Sequence, residues 1–197
     1  VSAGKSTLIN SLIGCRMNRT KTTACTDRLV SIHNKCLKDG LTHKDLNGSY
    51  SYFKNLQEVN RDEIHEIAFT FNSSLNKEQI CFIDTPGINN SEDSNHRRIT
   101  ENAITNGDYD AIMYVSNSQY FGTNDEHNLL KLLKSKVKKP ILFVLNQLDN
   151  FIPEEDSIAK MMNDYKSDLL KIGFSKPIIV PVSAYAAAAH LPQRILF

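Results

Sequence analysis

Short apolar runs recur along the chain, and their period switches between that of a buried strand and that of a helix. In "KSTLINSLIG", Leu8, Ile9, Leu12 and Ile13 fall at helical spacing, with Gly14 as the stop. "CRMNRTKTTACTD" is polar and rich in Thr, without a period, and reads as a loop. "RLVSIH" is short and β-branched, a strand pattern. Residues 37–63 are the least legible. "LTHKDLNGSYSY" carries turn signals, and Phe53, Leu56 and Val59 suit a helix in "FKNLQEVNRDEIHEI". "HEIAFTF" alternates, with Ile67, Phe69 and Phe71 on one side, and "QICFIDTPG" is a buried-type strand ending in a Pro-Gly turn. Beyond it the pattern predicts a helix in "NHRRITENAI", a strand in "YDAIMYVSN" and a helix in "DEHNLLKLLKSKV". A strand in "KPILFVLN", a long helix ending on Gly173, a strand in "KPIIVPVSA" and a short helix in "AYAAAAH" complete the series.

Continuous apolar strands alternating with helices predict an α/β fold: a mostly parallel central sheet with helices on both faces. In such folds chemistry gathers in the loops after the carboxyl ends of strands. The 197 residues are the size of one domain, and we read 1–197 as a single domain. Net charge is +1, which gives no bulk electrostatic drive toward nucleic acid or anionic membrane. The basic run "KLLKSKVKK" is interleaved with Leu and Val and reads as a solvated helix face. Cys15, Cys25, Cys36 and Cys81 lack C-x-x-C spacing and read as reduced thiols. The six histidines are scattered singly, which argues against a metal cluster. No apolar run approaches the roughly 20 residues that span a bilayer.

Four short motifs then carry chemistry. "SAGKST" is the tail of a phosphate-binding loop whose first glycine would precede Val1. Its glycine lets backbone N–H groups approach phosphates, and the following helix points its positive end at them. Ala3, Gly4 and Thr7 belong to this cradle; Lys5 would reach the β and γ phosphates, and the Ser6 hydroxyl would ligate Mg²⁺. "FIDTPG" ends a strand with Asp84, placed to hold the Mg²⁺ shell through water, and the Gly87 N–H is placed to sense a γ-phosphate. "FVLNQLD" supplies Asn146, Gln147 and Asp149. A carboxylate accepting two N–H bonds selects guanine, whose N1–H and 2-amino groups are both donors. "VPVSA" offers the Ser183–Ala184 backbone to guanine O6. Each motif alone has a plain structural reading as a turn or strand end. All four, in this order and each after a predicted strand or opening a helix, point to a GTP-binding protein.

The set resembles the GTP-binding domain of a translation-factor-class GTPase, a P-loop NTPase G domain, and "VSAGKSTLINSLIG" looks most like the bacterial dynamin-like proteins. Ser2 stands where Era-type loops usually have Asn, and the stretch 34–78 is long where Era-type proteins have a short hairpin. The resemblance implies that Ser2 binds a charge-compensating K⁺ or Na⁺. It also implies a switch threonine that helps hold Mg²⁺ and the attacking water: Thr26, with Thr22 and Thr23 as competitors. Catalysis would then rest on Ser2, Lys5, Thr26 and Gly87. Val1 departs from the Gln often found there, Ile88 stands where Ras-type enzymes have a catalytic Gln, and Gln147 replaces the usual Lys. These departures imply slower hydrolysis or weaker GTP binding, with specificity kept by Asp149.

Kinship implies an enzyme that hydrolyses GTP and dimerises, with itself or a partner subunit, across its nucleotide face. It also implies membrane remodelling through regions outside this stretch. The protein would be cytoplasmic, peripheral at the inner face of the membrane, with no nucleic-acid partner. An Era-like GTPase acting on ribosome or RNA is one competitor, and a non-hydrolysing nucleotide switch or scaffold is another. A central strand normally precedes this phosphate loop, so residues are expected before Val1, and more beyond the last strand and helix.

Overall fold

The structure is a computed structural model and describes residues 3–17, 28–35, 39–55, 58–59, 64–87, 94–119, 121–150 and 157–191. The chain divides into two compact units: Lys5–Gly87 with Tyr185–Phe197, and Val1–Gly4 with Ile88–Ala184.

The first unit holds α1 (Lys5–Ile13), β1 (Val30–Asn34), β2 (Leu41–Lys44), β3 (Tyr50–Phe53), β4 (Glu66–Phe69) and β5 (Cys81–Asp84). Its five strands run in the order β3-β2-β4-β1-β5. Of its four pairings only β1–β4 is parallel. The expected mostly parallel sheet is thus corrected for this unit. For β2 and β3 the physical reason lies in the connection, since a short link can join strands only antiparallel. β2 and β3 are joined by a tight turn in which Asp45 Oδ1 accepts from the Asn47 N–H at 2.8 Å and the Ser49 N–H at 2.9 Å. The long stretch between β1 and β5 therefore supplies β2, β3 and β4 and widens the sheet. Phe53 closes β3 and Glu66 and Ile67 open β4, so neither end of the expected helix is helical; residues 56–57 and 60–63 of it lie outside the described residues.

Alternation sorts this sheet's faces. Ile32, Leu41, Ile67 and Phe69 are fully buried, while Tyr50 and Tyr52 on β3 are exposed. Ile9 and Ile13 of α1 join Ile32, Leu41, Ile67, Phe69 and Phe71 in one core. Gly14, at φ +74°, ends α1 in a left-handed conformation that spares a side chain collision with the Asn72 carbonyl. This packing fixes the start of α1 against the end of β5.

The second unit holds α2 (Ser94–Asn106), β6 (Ile112–Asn117), α3 (Asn124–Lys136), β7 (Ile141–Asn146), α4 (Ile158–Ile172) and β8 (Ile178–Pro181), and α5 (Ala184–Ala189) begins at its last residue. Its strands run β6-β7-β8 and are all parallel. Tyr114, Leu130, Leu133, Phe143, Leu145, Tyr165 and Leu169 form its core. Ser116 on β6 is bonded inside it to Glu126 and Tyr165, so this core carries a small, satisfied polar centre. Parallel strands bring Asn117, Asn146 and the Val182–Ala184 segment to one end of the sheet.

Candidate functional site

The residues expected to read phosphates assemble in the first unit. Lys5 opens α1, so the helix's unpaired N–H groups and positive dipole end lie at the same place as its ammonium. The Ser6 hydroxyl donates to Asp84 Oδ2 at 2.8 Å, joining two motifs 78 positions apart. Asp84 ends β5 and is 1% exposed. A Cβ added at Gly87 would lie 3.7 Å from Lys5 Nζ, so the ammonium sits beside the Gly87 backbone. Burial pushes the Lys5 ammonium below its ordinary pKa, and the Asp84 carboxylate pulls it back up. A polyphosphate would add further negative charge beside that cation. The set suits a hard divalent cation: Ser6 and Asp84 offer oxygen only. Mg²⁺ takes one or two protein oxygens and completes its shell with phosphate and water. Among the described residues no group of three or more His, Cys, Asp or Glu forms a metal cage.

The residues expected to read the base assemble in the second unit. Asn146, 1% exposed, closes β7. Its Nδ2 donates to the Ala3 carbonyl at 2.9 Å and its Oδ1 accepts from the Ala184 N–H at 2.9 Å. Both ends of the amide are thus engaged by backbone, and Asn146 ties two loops together. Gly4, at φ +80°, lies so close that a Cβ there would sit 2.6 Å from Asn146 Nδ2. Asp149 is exposed on the 3-10 turn Leu148–Asn150, and its Oδ1 accepts from the Ser183 hydroxyl at 2.6 Å. The carboxylate is thereby oriented while remaining open to a ligand. Gln147 takes φ +71°, a left-handed backbone that non-glycine residues rarely adopt.

The sequence motifs did not single out the end of β6. Asn117 Nδ2 donates to Gln147 Oε1 at 2.7 Å, the Ser118 hydroxyl donates to the Gln147 carbonyl at 3.2 Å, and Gln119 Nε2 donates to the Asn150 carbonyl at 2.9 Å. The signal was "NSQ", a polar triplet closing a strand beside β7. Of the other expected residues, Ala3, Gly4 and Thr7 are described with the loop and α1. Ser2, Thr26, its competitors Thr22 and Thr23, and the departures Val1 and Ile88 lie outside the described residues.

One set of residues fits phosphates and a hard cation, the other a purine edge with two donors. Both chemistries are those expected of a GTP-binding protein of the P-loop type. The Dynamin family profile matches residues 1–148, and the chain belongs to the dynamin family. The chain is also 26% identical over 187 residues to GTPase Era of Histophilus somni strain 129Pt, a match that covers 93% of this chain and 46% of that protein. It therefore spans less than half the length of that relative.

Among solved structures, it is similar to Era in complex with MgGDPNP and nucleotides 1506–1542 of 16S ribosomal RNA. The TM-score is 0.55 at 19% identity, covering 99% of this chain and 55% of that one. It is also similar to an oligomerised bacterial dynamin pair described as sensing and tethering membranes, with a TM-score of 0.56 at 18% identity, covering 94% of this chain and 32% of that one. At these identities the likeness shows the fold, that of a P-loop GTPase G domain. The expectation of no nucleic-acid partner is corrected by these findings. It rested on a net charge of +1, yet an Era relative of the same fold is seen on ribosomal RNA. The charge of a chain that covers 55% of that structure does not decide what the whole protein binds.

Proposed function

We propose that this chain is the GTPase domain of a dynamin-family protein, which binds GTP with Mg²⁺ and hydrolyses it to GDP and phosphate. The observation that carries it is the Ser6–Asp84 hydrogen bond, which brings the phosphate-loop hydroxyl to the strand-end carboxylate beside Lys5. Lys5 and the N–H groups at the start of α1 would bind and orient the phosphates, and the Gly87 N–H would contact the terminal one. Ser6 and Asp84 would hold Mg²⁺, which when bound supplies charge neutralisation at the phosphates. Asp149, oriented by Ser183, would accept the two guanine donors. No described side chain is a general base, so hydrolysis rests on positioning and charge compensation. Thr26 and a monovalent cation near Ser2 complete the reading by kinship.

Membership in the dynamin family supports a finer reading: G-domain dimerisation that drives membrane remodelling, in a cytoplasmic protein peripheral to the inner membrane face. The match to Era over 187 residues supports a second reading, action on ribosomal RNA. Turnover of GTP by the full-length protein, with and without K⁺, liposomes and a ribosomal RNA fragment, tests all three. Stimulation by liposomes supports membrane action, and stimulation by RNA the second reading. Binding of GTP with no turnover under any condition rejects the enzyme.

A further inference from the structure

Gln147 stands where the family resemblance calls for Lys, and the structure shows what its amide does instead. The Gln119 backbone N–H donates to Asn117 Oδ1 at 2.9 Å. A backbone N–H can only donate, so this bond fixes which end of the Asn117 amide is oxygen. Asn117 Nδ2 must then face Gln147, and it does, at 2.7 Å from Oε1. An amide nitrogen also only donates, so the orientation passes to the second amide: Oε1 of Gln147 is held toward Asn117. Its Nε2 is left on the other side, 3.8 Å from the position of a Cβ added at Gly4. The neighbouring groups hold the same turn in place. The Ser118 N–H donates to the Asn146 carbonyl at 2.9 Å, the Ser118 hydroxyl to the Gln147 carbonyl, and Gln119 Nε2 to the Asn150 carbonyl. Asn117–Gln119 thus runs as a splint along Asn146–Asn150.

We propose that Asn117 is a positioning residue for guanine-nucleotide binding: it sets the polarity of the Gln147 carboxamide, so that a neutral donor rather than an acceptor is presented beside Gly4. The inference rests on the GTP-binding reading above. It also explains how the chain accommodates Gln147 in place of Lys. Asn117 Nδ2 is a donor, matched to an amide oxygen and mismatched to an ammonium. A lysine at 147 would meet a donor with a donor. An aspartate at 117 would accept from that lysine, but would repel Oε1 of the native Gln147 and turn its amide around.

The test measures the GTP dissociation constant and the melting temperature of full-length Asn117→Ala, Asn117→Asp, Gln147→Lys and the double variant Asn117→Asp/Gln147→Lys. Each single variant is expected to weaken GTP binding about 5–10-fold, the size of one lost or mismatched hydrogen bond. The double variant is expected to return to within about twofold of the native protein, because the two sites couple. An unchanged dissociation constant in Asn117→Ala overturns the proposal. So does a double variant no better than the worse single one. A fall in melting temperature that tracks every loss of binding would also overturn it, because it would mark a merely structural role. If the native protein itself binds no GTP, the functional reading fails and takes this inference with it, a result visible before any variant is made.

Discussion

At the residue scale the group proposed to select guanine is the Asp149 carboxylate. It is exposed, and Ser183 fixes one oxygen at 2.6 Å. A carboxylate can accept from both N1–H and the 2-amino group of guanine. An amide keeps one acceptor and gains one donor, which suits xanthine, whose C2 bears a carbonyl. Asp149→Asn is therefore expected to weaken GTP binding roughly 10–100-fold, the range for an unsatisfied polar pair, and to improve XTP binding. Competition binding with the two nucleotides checks this, and equal loss of both would show that Asp149 does not read the purine edge. Gly14 makes the matching point for stability. Its φ of +74° and the Asn72 carbonyl, 1.8 Å from an added Cβ, leave no room for alanine. Gly14→Ala should cost at least about 1–3 kcal/mol, measured as a shift in the denaturant midpoint.

At the element scale, β6, α3 and α4 meet at a buried polar centre. Ser116 of β6 lies 2.7 Å from the Tyr165 hydroxyl of α4 and bonds Glu126 of α3, whose other oxygen accepts from the Gly122 N–H at 2.8 Å. Burial raises the Tyr114 and Tyr165 phenols above their ordinary value of 10.0, and the Glu126 carboxylate adds to the effect. Below pH 10 both phenols are protonated, folded or unfolded, and contribute no pH dependence. Above it the unfolded chain ionises them and the folded one does not, so stability falls as pH rises, by up to about 1.4 kcal/mol per tyrosine per pH unit. Denaturant midpoints that drop as pH rises past 10, less steeply in Tyr165→Phe, are expected. A flat profile would place these phenols in water. Element by element, most helices and strands were legible because apolar period and caps coincide: Gly14 ends α1 and Gly173 ends α4. Chain direction in the five-stranded sheet was not legible. Alternation in "HEIAFTF" marks a strand but says nothing of its partner, and β4 pairs parallel to β1 and antiparallel to β2. The site was legible where chemistry is local to a motif, as at Ser6 and Asp84. Asn117 was hidden because its role is a contact with Gln147, 30 positions away.

At the scale of the whole molecule, the two units each bury their own core, one around Ile32, Ile67 and Phe69, the other around Phe143, Tyr165 and Leu169. They also divide the residues proposed to recognise the nucleotide. Lys5, Ser6, Asp84 and Gly87 belong to the first unit, and Asn146, Asp149 and Ser183 to the second. A ligand that binds only the folded state stabilises it by about 2.7 kcal/mol at 100 times its dissociation constant, and the stabilised segments exchange their amide hydrogens more slowly. Pyrophosphate with Mg²⁺ carries only the phosphate chemistry and should slow exchange in α1 and β5. Guanosine carries only the base and should slow exchange after β7 and β8. GTP with Mg²⁺ should protect both sets, whereas ATP with Mg²⁺ should reproduce the pyrophosphate pattern, since adenine offers no pair of donors to Asp149. Hydrogen exchange read by mass spectrometry resolves these segments. Protection by GTP confined to one set would mean that the two halves of the chemistry do not serve one nucleotide, and equal protection by ATP at the β7 end would remove the basis for calling the protein guanine-specific.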